Sequence, residues 1–577
     1  MRMTSFDSPE IERGTALVRG GRLWALALVA LCATAVTAPM WFLGNASGHD
    51  FQFHMASWLD VAGQWREGIL YPRWAEWANY GFGEPRFIFY PPLSWTLAAA
   101  LSFALPWKMV PGAVDWIALV VGGLGAWRLA REWLTPRQAV AAAMLYAANP
   151  YHLIVVYYRS DFAELLAGAI FPYLVWRALR LIDDGWRATP PLACVFALVW
   201  LANAPAAVIA TYSLALILAV GALYKRSAQV LIAGAAAMAC GFGLAAFYIL
   251  PAAYEQRWVQ ISQALVTLLE PWDNFLYTHA PNPEFLFFNW KVSTVAMILL
   301  LAAGIAAVFA ARRRASLGVA WWVLLAIAAL SVCLMFPASV LLWKLLPKLA
   351  FVQFPWRWLG PFGLVFAFLV AAAPTKRLTL VAVWISMAVL IIGLGAAIVN
   401  DCWWDSEDIP VISGGIHSSN GYEGTDEYQP IGSDRYSLPG AEVPYGDPPG
   451  PPTPQLQVLA DNGKMVAAPL AQLRVTRWNA ERREFISKAA DDTTVGVRLL
   501  KYPAWLATID GAPAETKASS EDGQLLIDVP PGEHKVALRF VRTKDRLAGD
   551  AISAVFVVIV AGWWLAMRRK DARGAVI

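Results

Sequence analysis

Residues 91–106 read Pro91-Pro92-Leu93-Ser94-Trp95-Thr96-Leu97-Ala98-Ala99-Ala100-Leu101-Ser102-Phe103-Ala104-Leu105-Pro106. Whether this run crosses a membrane decides the side on which every later segment lies. It is apolar, but it is bounded by prolines and falls short of the roughly 20 residues a helical span needs. Twelve other apolar runs are candidate spans: 23–43, 111–130, 138–157, 164–181, 190–203, 205–223, 228–250, 293–311, 317–336, 356–373, 378–399 and 549–567. Asn203-Ala204-Pro205 offers a tight turn between the fifth and the sixth. If 91–106 spans, then Arg128/Arg131, Arg177/Arg180, Lys225/Arg226, Arg312-Arg313-Arg314 and Lys376/Arg377 all lie outside. If it is a re-entrant or interfacial helix, all of them lie inside together with Arg568-Arg569-Lys570. The positive-inside rule selects the second arrangement, with about twelve spans and both termini cytoplasmic.

Composition supports a membrane protein. The chain has 577 residues, of which 58% are hydrophobic and 15% charged, against roughly 25% charged in a soluble domain. So much apolar surface does not fit inside one soluble core. A net charge of +4 gives no support to a nucleic-acid partner. The five cysteines show no pairing framework or CxxC spacing. Arg13, Arg19 and Arg22 precede the first run, and Ala33-Thr34-Ala35 imitates a signal-peptidase site. The apolar run continues past that site, as expected of an uncleaved anchor.

This parity places residues 44–90, 158–163, 251–292, 337–355 and 400–548 outside the membrane, with all six histidines on or near that face. Segment 400–548 opens acidic and Gly/Ser-rich, passes Pro448–Pro454, and then carries short strand-like runs at 455–459, 495–500, 525–529 and 534–540. A small β-sandwich is expected there. The domains are then 1–399, a membrane domain with a large first outer loop at 44–110; 400–548, a β-rich outer domain; and 549–577, a last span with a basic cytoplasmic tail. No Asp, Glu, Lys or Arg sits at the middle of an assigned span, which weighs against an ion-coupled transporter.

The first outer loop is the densest in chemistry. Asp50 follows the first span directly, at the start of a helix expected to run through Trp65. His54 lies four residues on, so the two share a helix face. From spacing alone, Asp50 reads as a helix cap beside an interfacial His. The second outer loop, Tyr157-Tyr158-Arg159-Ser160-Asp161-Phe162-Ala163-Glu164, is the next cluster, where Arg159 pairs with Asp161 or Glu164 as an ordinary loop or belongs to a site. Arg357, between Trp356 and Trp358, either snorkels to head groups or clamps a phosphate. Arg73, Arg86 and Arg159 are rivals for that clamp. His49, His54 and Glu84 complete the candidate substrate contacts.

An acid just past the first span, a long first outer loop, a Pro-Pro-Leu helix that does not span and a late outer domain resemble GT-C membrane glycosyltransferases. Asp50…His54, Tyr71-Pro72-Arg73-Trp74, Asn79-Tyr80-Gly81, Phe89-Tyr90-Pro91-Pro92-Leu93 and Phe354-Pro355-Trp356-Arg357-Trp358 resemble the bacterial membrane proteins labelled "6-pyruvoyl-tetrahydropterin synthase-related". The tail, with Tyr502-Pro503-Ala504-Trp505 and Pro531-Gly532-Glu533-His534, is similar to YfhO-like proteins. The resemblance implies a GT-C-like helical membrane fold. It also implies transfer of a sugar from a polyprenyl-phosphate donor to a glycan or lipid acceptor, on the outer face of a bacterial cytoplasmic membrane. Asp50 would be the base and Arg357 the phosphate clamp. Metal-using relatives join the first acid to an acid of the second loop, which maps to Asp50 and Asp161 and implies Mg²⁺ or Mn²⁺. This sequence has His49-Asp50 where many such enzymes have paired acids, which puts that metal in question. A lipid-linked glycan transporter and a non-catalytic scaffold for envelope polysaccharide assembly are the alternatives.

Overall fold

The computed structural model describes residues 9–279, 282–374, 376–404, 407–447, 450–459 and 471–574. The side chains of Arg13, Arg19, Arg377 and Lys570 lie outside the described residues, as do residues 448 and 449 of the proline-rich stretch. Nine helical stretches among the described residues are long and apolar enough to cross a membrane: Arg22–Leu43, Trp107–Ala130, Pro136–Arg159, Phe162–Ala202, Ala204–Lys225, Pro283–Leu317, Pro355–Ala372, Leu378–Asp401 and Lys544–Arg569. Two bent pairs add to them: Gln229–Leu244 with Ala246–Trp258, at 75°, and Val319–Met335 with Pro337–Leu345, at 93°. The stretch from Phe162 to Ala202 is not one rod. Gly185 adopts φ 57 and ψ −132, a conformation that glycine reaches without strain. The helices Phe162–Asp184 and Thr189–Ala202 on either side of it pack against each other. With that fold-back, each of the twelve runs read from the sequence has a helical counterpart.

The pivotal run forms only the helix Pro92–Leu101, about 15 Å long at 1.5 Å per residue, half the hydrocarbon thickness. Pro92 opens it where a missing N–H is harmless. The helix packs on Phe51–Arg66, so 91–106 does not span. Asp115 qualifies the expectation of uncharged span interiors. It lies inside Trp107–Ala130, is 1% exposed, and its Oδ2 has no hydrogen-bond partner.

The domain that the charge pattern predicts to lie outside is a two-sheet sandwich. Its strands are β1 (Leu456–Leu459), β2 (Ala471–Asn479), β3 (Arg482–Ala489), β4 (Thr493–Leu500), β5 (Trp505–Ile509), β6 (Ala512–Ala514), β7 (Lys517–Ala518), β8 (Gln524–Val529) and β9 (Gly532–Phe540). One sheet has the order β1-β4-β8-β7, the other β2-β3-β9-β5-β6, and every pair is antiparallel. Inward residues Phe485, Val495, Val497, Leu525, Ile527 and Leu538 share one core, which Trp74 and Phe82 of the first outer loop enter.

Buried polar contacts lock this domain to the membrane part. Arg483 meets Glu76 at 3.1 Å, both nearly inaccessible. Glu255, at the end of a bent pair, accepts from Arg546 Nε at 2.6 Å and Nη2 at 2.8 Å, and from the Tyr502 hydroxyl at 2.5 Å. Arg546 belongs to the last span, so one carboxylate joins two membrane helices and the sandwich. The Glu255–Arg546 pair holds because Nε, Nη1 and Nη2 of Arg546 all find acceptors; removing one partner would leave a buried charge.

Candidate functional site

The site forms where the first and second outer loops run side by side. The His49 amide donates to the Tyr158 carbonyl at 3.2 Å and the Asp50 amide to the Arg159 carbonyl at 2.8 Å. The Gly48 amide donates to the Ser160 hydroxyl at 3.0 Å. The approach is so close that a Cβ on Gly48 would stand 2.5 Å from the Arg159 carbonyl carbon and 2.7 Å from the Ser160 nitrogen. Val155–Arg159 is a π-helical turn, a local widening that is frequent at functional sites, and Ser160 follows at φ 52. Together they aim Arg159 inward.

Asp50 sits at the N-cap of Phe51–Arg66, but its side chain makes no capping bond. Its carboxylate instead accepts from Arg159 Nη2 at 2.6 Å, and the same nitrogen reaches Asp161 at 3.2 Å. The two carboxylate oxygens are therefore no farther apart than the sum of those lengths. Arg159 Nη1 donates to Glu164 at 2.9 Å. Arg357 arrives from the far side, with Nε on Glu164 at 2.9 Å and Nη2 on Asp161 at 3.3 Å. Its Nη1 donates to the Val352 carbonyl at 2.9 Å. Asp161 also caps Phe162–Asp184 by accepting from the Glu164 amide at 2.9 Å. Burial pushes the Asp161 carboxyl up, but Arg159, His54 and Arg357 outweigh it and hold it well below its ordinary range. His54 Nε2 lies 3.7 Å from Asp161 and 3.4 Å from the Tyr90 hydroxyl. The Tyr151 hydroxyl donates to Glu164.

The network forms part of the wall of a cavity of about 570 Å³, which Asp50, Arg159, Asp161 and Arg357 all line. Asp50 is the accessible carboxylate, 35% exposed against 4% for Asp161. Trp200, Pro205, Val208 and Leu269 supply an apolar wall, and Thr425, Glu427 and Tyr428 of the outer segment supply another. Burial raises the Glu427 carboxyl to about 7.

Five sequence candidates stand apart from this cavity. Arg86 and Glu84 form a buried pair at 2.6 Å, and Glu84 also accepts from the Thr425 amide and hydroxyl. This pair fastens the outer segment to the first loop and is closed to a substrate. Arg73 lies over the Tyr71 ring, 4.3 Å from its centroid, and 4.0 Å from Asp550. His49 packs edge-on against Phe288; burial, reinforced by Arg159, lowers its pKa. His54, 1% exposed, is covered by Phe53, Trp58, Tyr90 and Phe162. It supports Asp161 from behind.

A divalent cation on Asp50 and Asp161 would need converging oxygen ligands at 2.0–2.6 Å. The position between these carboxylates is taken by the Arg159 guanidinium. Among the described residues no group of three His, Cys, Asp or Glu side chains is arranged to hold a metal. The arrangement does not fit the implied Mg²⁺ or Mn²⁺. Glu164 is visible in the sequence as the third residue after the Asp161 cap, the D-x-x-E pattern of a capping box. Glu427 belongs to Gly424-Thr425-Asp426-Glu427-Tyr428, a stretch the sequence leaves open between a lining of the cleft and a turn-rich linker; Thr425, Glu427 and Tyr428 lie on the cavity wall.

No curated protein matches the chain. Similar solved structures include the apo oligosaccharyltransferase of Archaeoglobus fulgidus, at 14% identity and a TM-score of 0.40 over 66% of this chain and 55% of that one. Another is the archaeal oligosaccharyltransferase AglB from Archaeoglobus fulgidus in complex with an inhibitory peptide and a dolichol-phosphate, at 15% identity and a TM-score of 0.40 over 70% and 56%. The chain thus spans little more than half the length of either, and a likeness at this level assigns no residue a role. The family described as "6-pyruvoyl-tetrahydropterin synthase related domain; membrane protein" matches residues 87–408. That is more than half of the chain and includes the second loop and Arg357, so the chain belongs to this family of membrane proteins.

Proposed function

We propose that the chain is a GT-C-like glycosyltransferase that moves a sugar from a polyprenyl-phosphate donor to a glycan or lipid acceptor on the outer face of the cytoplasmic membrane. The observation that carries this is the convergence of Asp50, Asp161, Arg159 and Arg357 on one cavity with an apolar wall. Asp50, accessible and uncommitted to the helix cap, takes the acceptor hydroxyl proton. The acceptor oxygen forms a bond to the anomeric carbon while the bond from that carbon to the phosphate oxygen breaks. The electron pair leaves with the polyprenyl phosphate. Arg159 and Arg357, held rigid by Asp161 and Glu164, keep positive charge where the leaving group gains negative charge, so little reorganisation is needed. Ligand sites of this kind combine apolar walls with a few placed polar groups.

The test is incubation of the purified chain with a panel of polyprenyl-phosphate sugars and envelope acceptors. Transfer of label from at least one donor, with release of polyprenyl phosphate, is the expected result. A folded chain that turns over none of them contradicts the proposal. One observation favours lipid-linked glycan transport instead: the buried Asp115 inside a span, whose Oδ2 has no hydrogen-bond partner among the described residues, a placement typical of translocation pathways. Translocation of a fluorescent polyprenyl-phosphate sugar in proteoliposomes, abolished by Asp115→Asn, would support that second reading.

A further inference from the structure

An anionic ligand entering the cavity must meet a cation with donors to spare. Three cations line it: Arg159, Arg357 and Lys348. Arg357 is committed through Nε to Glu164, through Nη2 to Asp161, and through Nη1 to the Val352 carbonyl and the Gln353 side chain. Arg159 holds Glu164 through one terminal nitrogen and both Asp50 and Asp161 through the other. Among the described residues Lys348 alone of the three has no carboxylate partner; its ammonium lies over the Phe351 ring at 4.9 Å. An ammonium brings three donors as a point charge and is a common phosphate binder.

The backbone holds Lys348 in place. Its φ of 60 and ψ of 1 lie in the left-handed region, where a long non-glycine side chain is uncommon. Such conformations persist where the neighbours impose them. The preceding Pro347 carbonyl accepts from the Tyr212 hydroxyl at 2.9 Å, and the following Leu349 is fully buried. Gln353, also at positive φ, donates to the Ala264 carbonyl at 2.8 Å. Pro205 and Val208, on the same cavity wall, belong to the span Ala204–Lys225. The cavity that holds the cation therefore has an apolar wall built from the first turns of a membrane span.

We infer that Lys348 is the first contact for the phosphate of a lipid-linked ligand, delivering it to Arg159 and Arg357. This rests on the polyprenyl-phosphate donor proposed above. The test uses the full-length chain in phosphatidylcholine nanodiscs titrated with radiolabelled undecaprenyl phosphate. Lys348→Gln should weaken binding by about tenfold or more, the factor that 1.4 kcal/mol represents. Lys348→Arg, which keeps the charge, should stay within about threefold of the parent. The parent binding while Lys348→Gln binds equally well overturns the assignment of Lys348 and leaves the donor class standing. A parent that does not bind undecaprenyl phosphate overturns the donor class and this assignment together. Equal competition by phosphatidylglycerol would make the site one for bulk lipid head groups, and equal competition by inorganic phosphate one for a soluble anion; either overturns the lipid-linked assignment.

Discussion

Asp50 shows how a residue can be located from sequence while its partner is not. Its N-cap position is legible, and the cap would have been its ordinary role. Arg159, more than a hundred residues away, offers a cationic donor instead, so the carboxylate takes a bond in which both partners are charged rather than one to a neutral backbone N–H. The shared helix face of Asp50 and His54 was equally legible but not informative, because Asp50 turns to Arg159 and His54 to Asp161. Glu84 and Arg86 looked like site residues for the same reason that they are structural: charged groups in an aromatic loop must find each other when buried. Arg159 is the hinge of the network, so Arg159→Met would leave Asp50 without its cation and Asp161 and Glu164 with Arg357 alone. It is expected to cost about 3–5 kcal/mol, the loss seen when one member of a buried ion pair is removed. Arg159→Lys should cost less. Thermal unfolding of the two variants measures this, and equal, small losses would contradict it. Glu427 makes a pH prediction. Its folded value, about 7, stands above the ordinary 4.5, so between those values the folded chain keeps a proton that the unfolded chain has released. The stability from this group is complete below 4.5 and drains away as pH rises to about 7. Glu427→Gln should remove that slope from a plot of melting temperature against pH; parallel curves for the two chains would contradict the assignment.

Elements were legible where a period or a length decides. The helix Pro92–Leu101 is too short to span, and both its prolines and the positive-inside rule say so. Among the described residues four of the nine strands, β1, β4, β8 and β9, stand in the sequence as short strand-like runs. β2 and β3 do not, since β2 buries only Ala471 and each strand carries two Arg; their pairing is set by the sandwich rather than by local pattern. The seam between the two outer loops was invisible, because a glycine after a span reads as a turn. Gly48 is there for space. Gly48→Ala should separate the loops, lower stability by about 1–3 kcal/mol as overpacking does, and weaken the grip of Arg159 on Asp50. Melting temperature and undecaprenyl phosphate binding report the two effects. An unchanged melting temperature would show that the seam opens freely.

At the scale of the whole molecule, a helical membrane part and a sandwich are joined through Glu255, Arg546 and Tyr502, and the cavity opens where the outer segment meets the span ends. The order of spans and the outer β domain could be read from hydropathy, charge and composition; their closure over a shared cavity could not, since it depends on contacts between residues hundreds apart. The proposed orientation makes a topological prediction. Single cysteines placed in 158–163 and 251–292 should react with an impermeant reagent from outside, and those at 312–314 should not. Labelling at 312–314 would invert the orientation. The central claim, that Asp50 is the base of a sugar transfer, is tested most directly by single-turnover transfer from a polyprenyl-phosphate sugar with the parent chain and Asp50→Asn. Asn preserves size and keeps an oxygen that can accept from Arg159, which also retains Asp161 and Glu164, so the variant should fold. Its transfer should fall by about 10² or more, the contribution of a positioned base. A folded Asp50→Asn chain that transfers sugar at the parent rate would contradict the account.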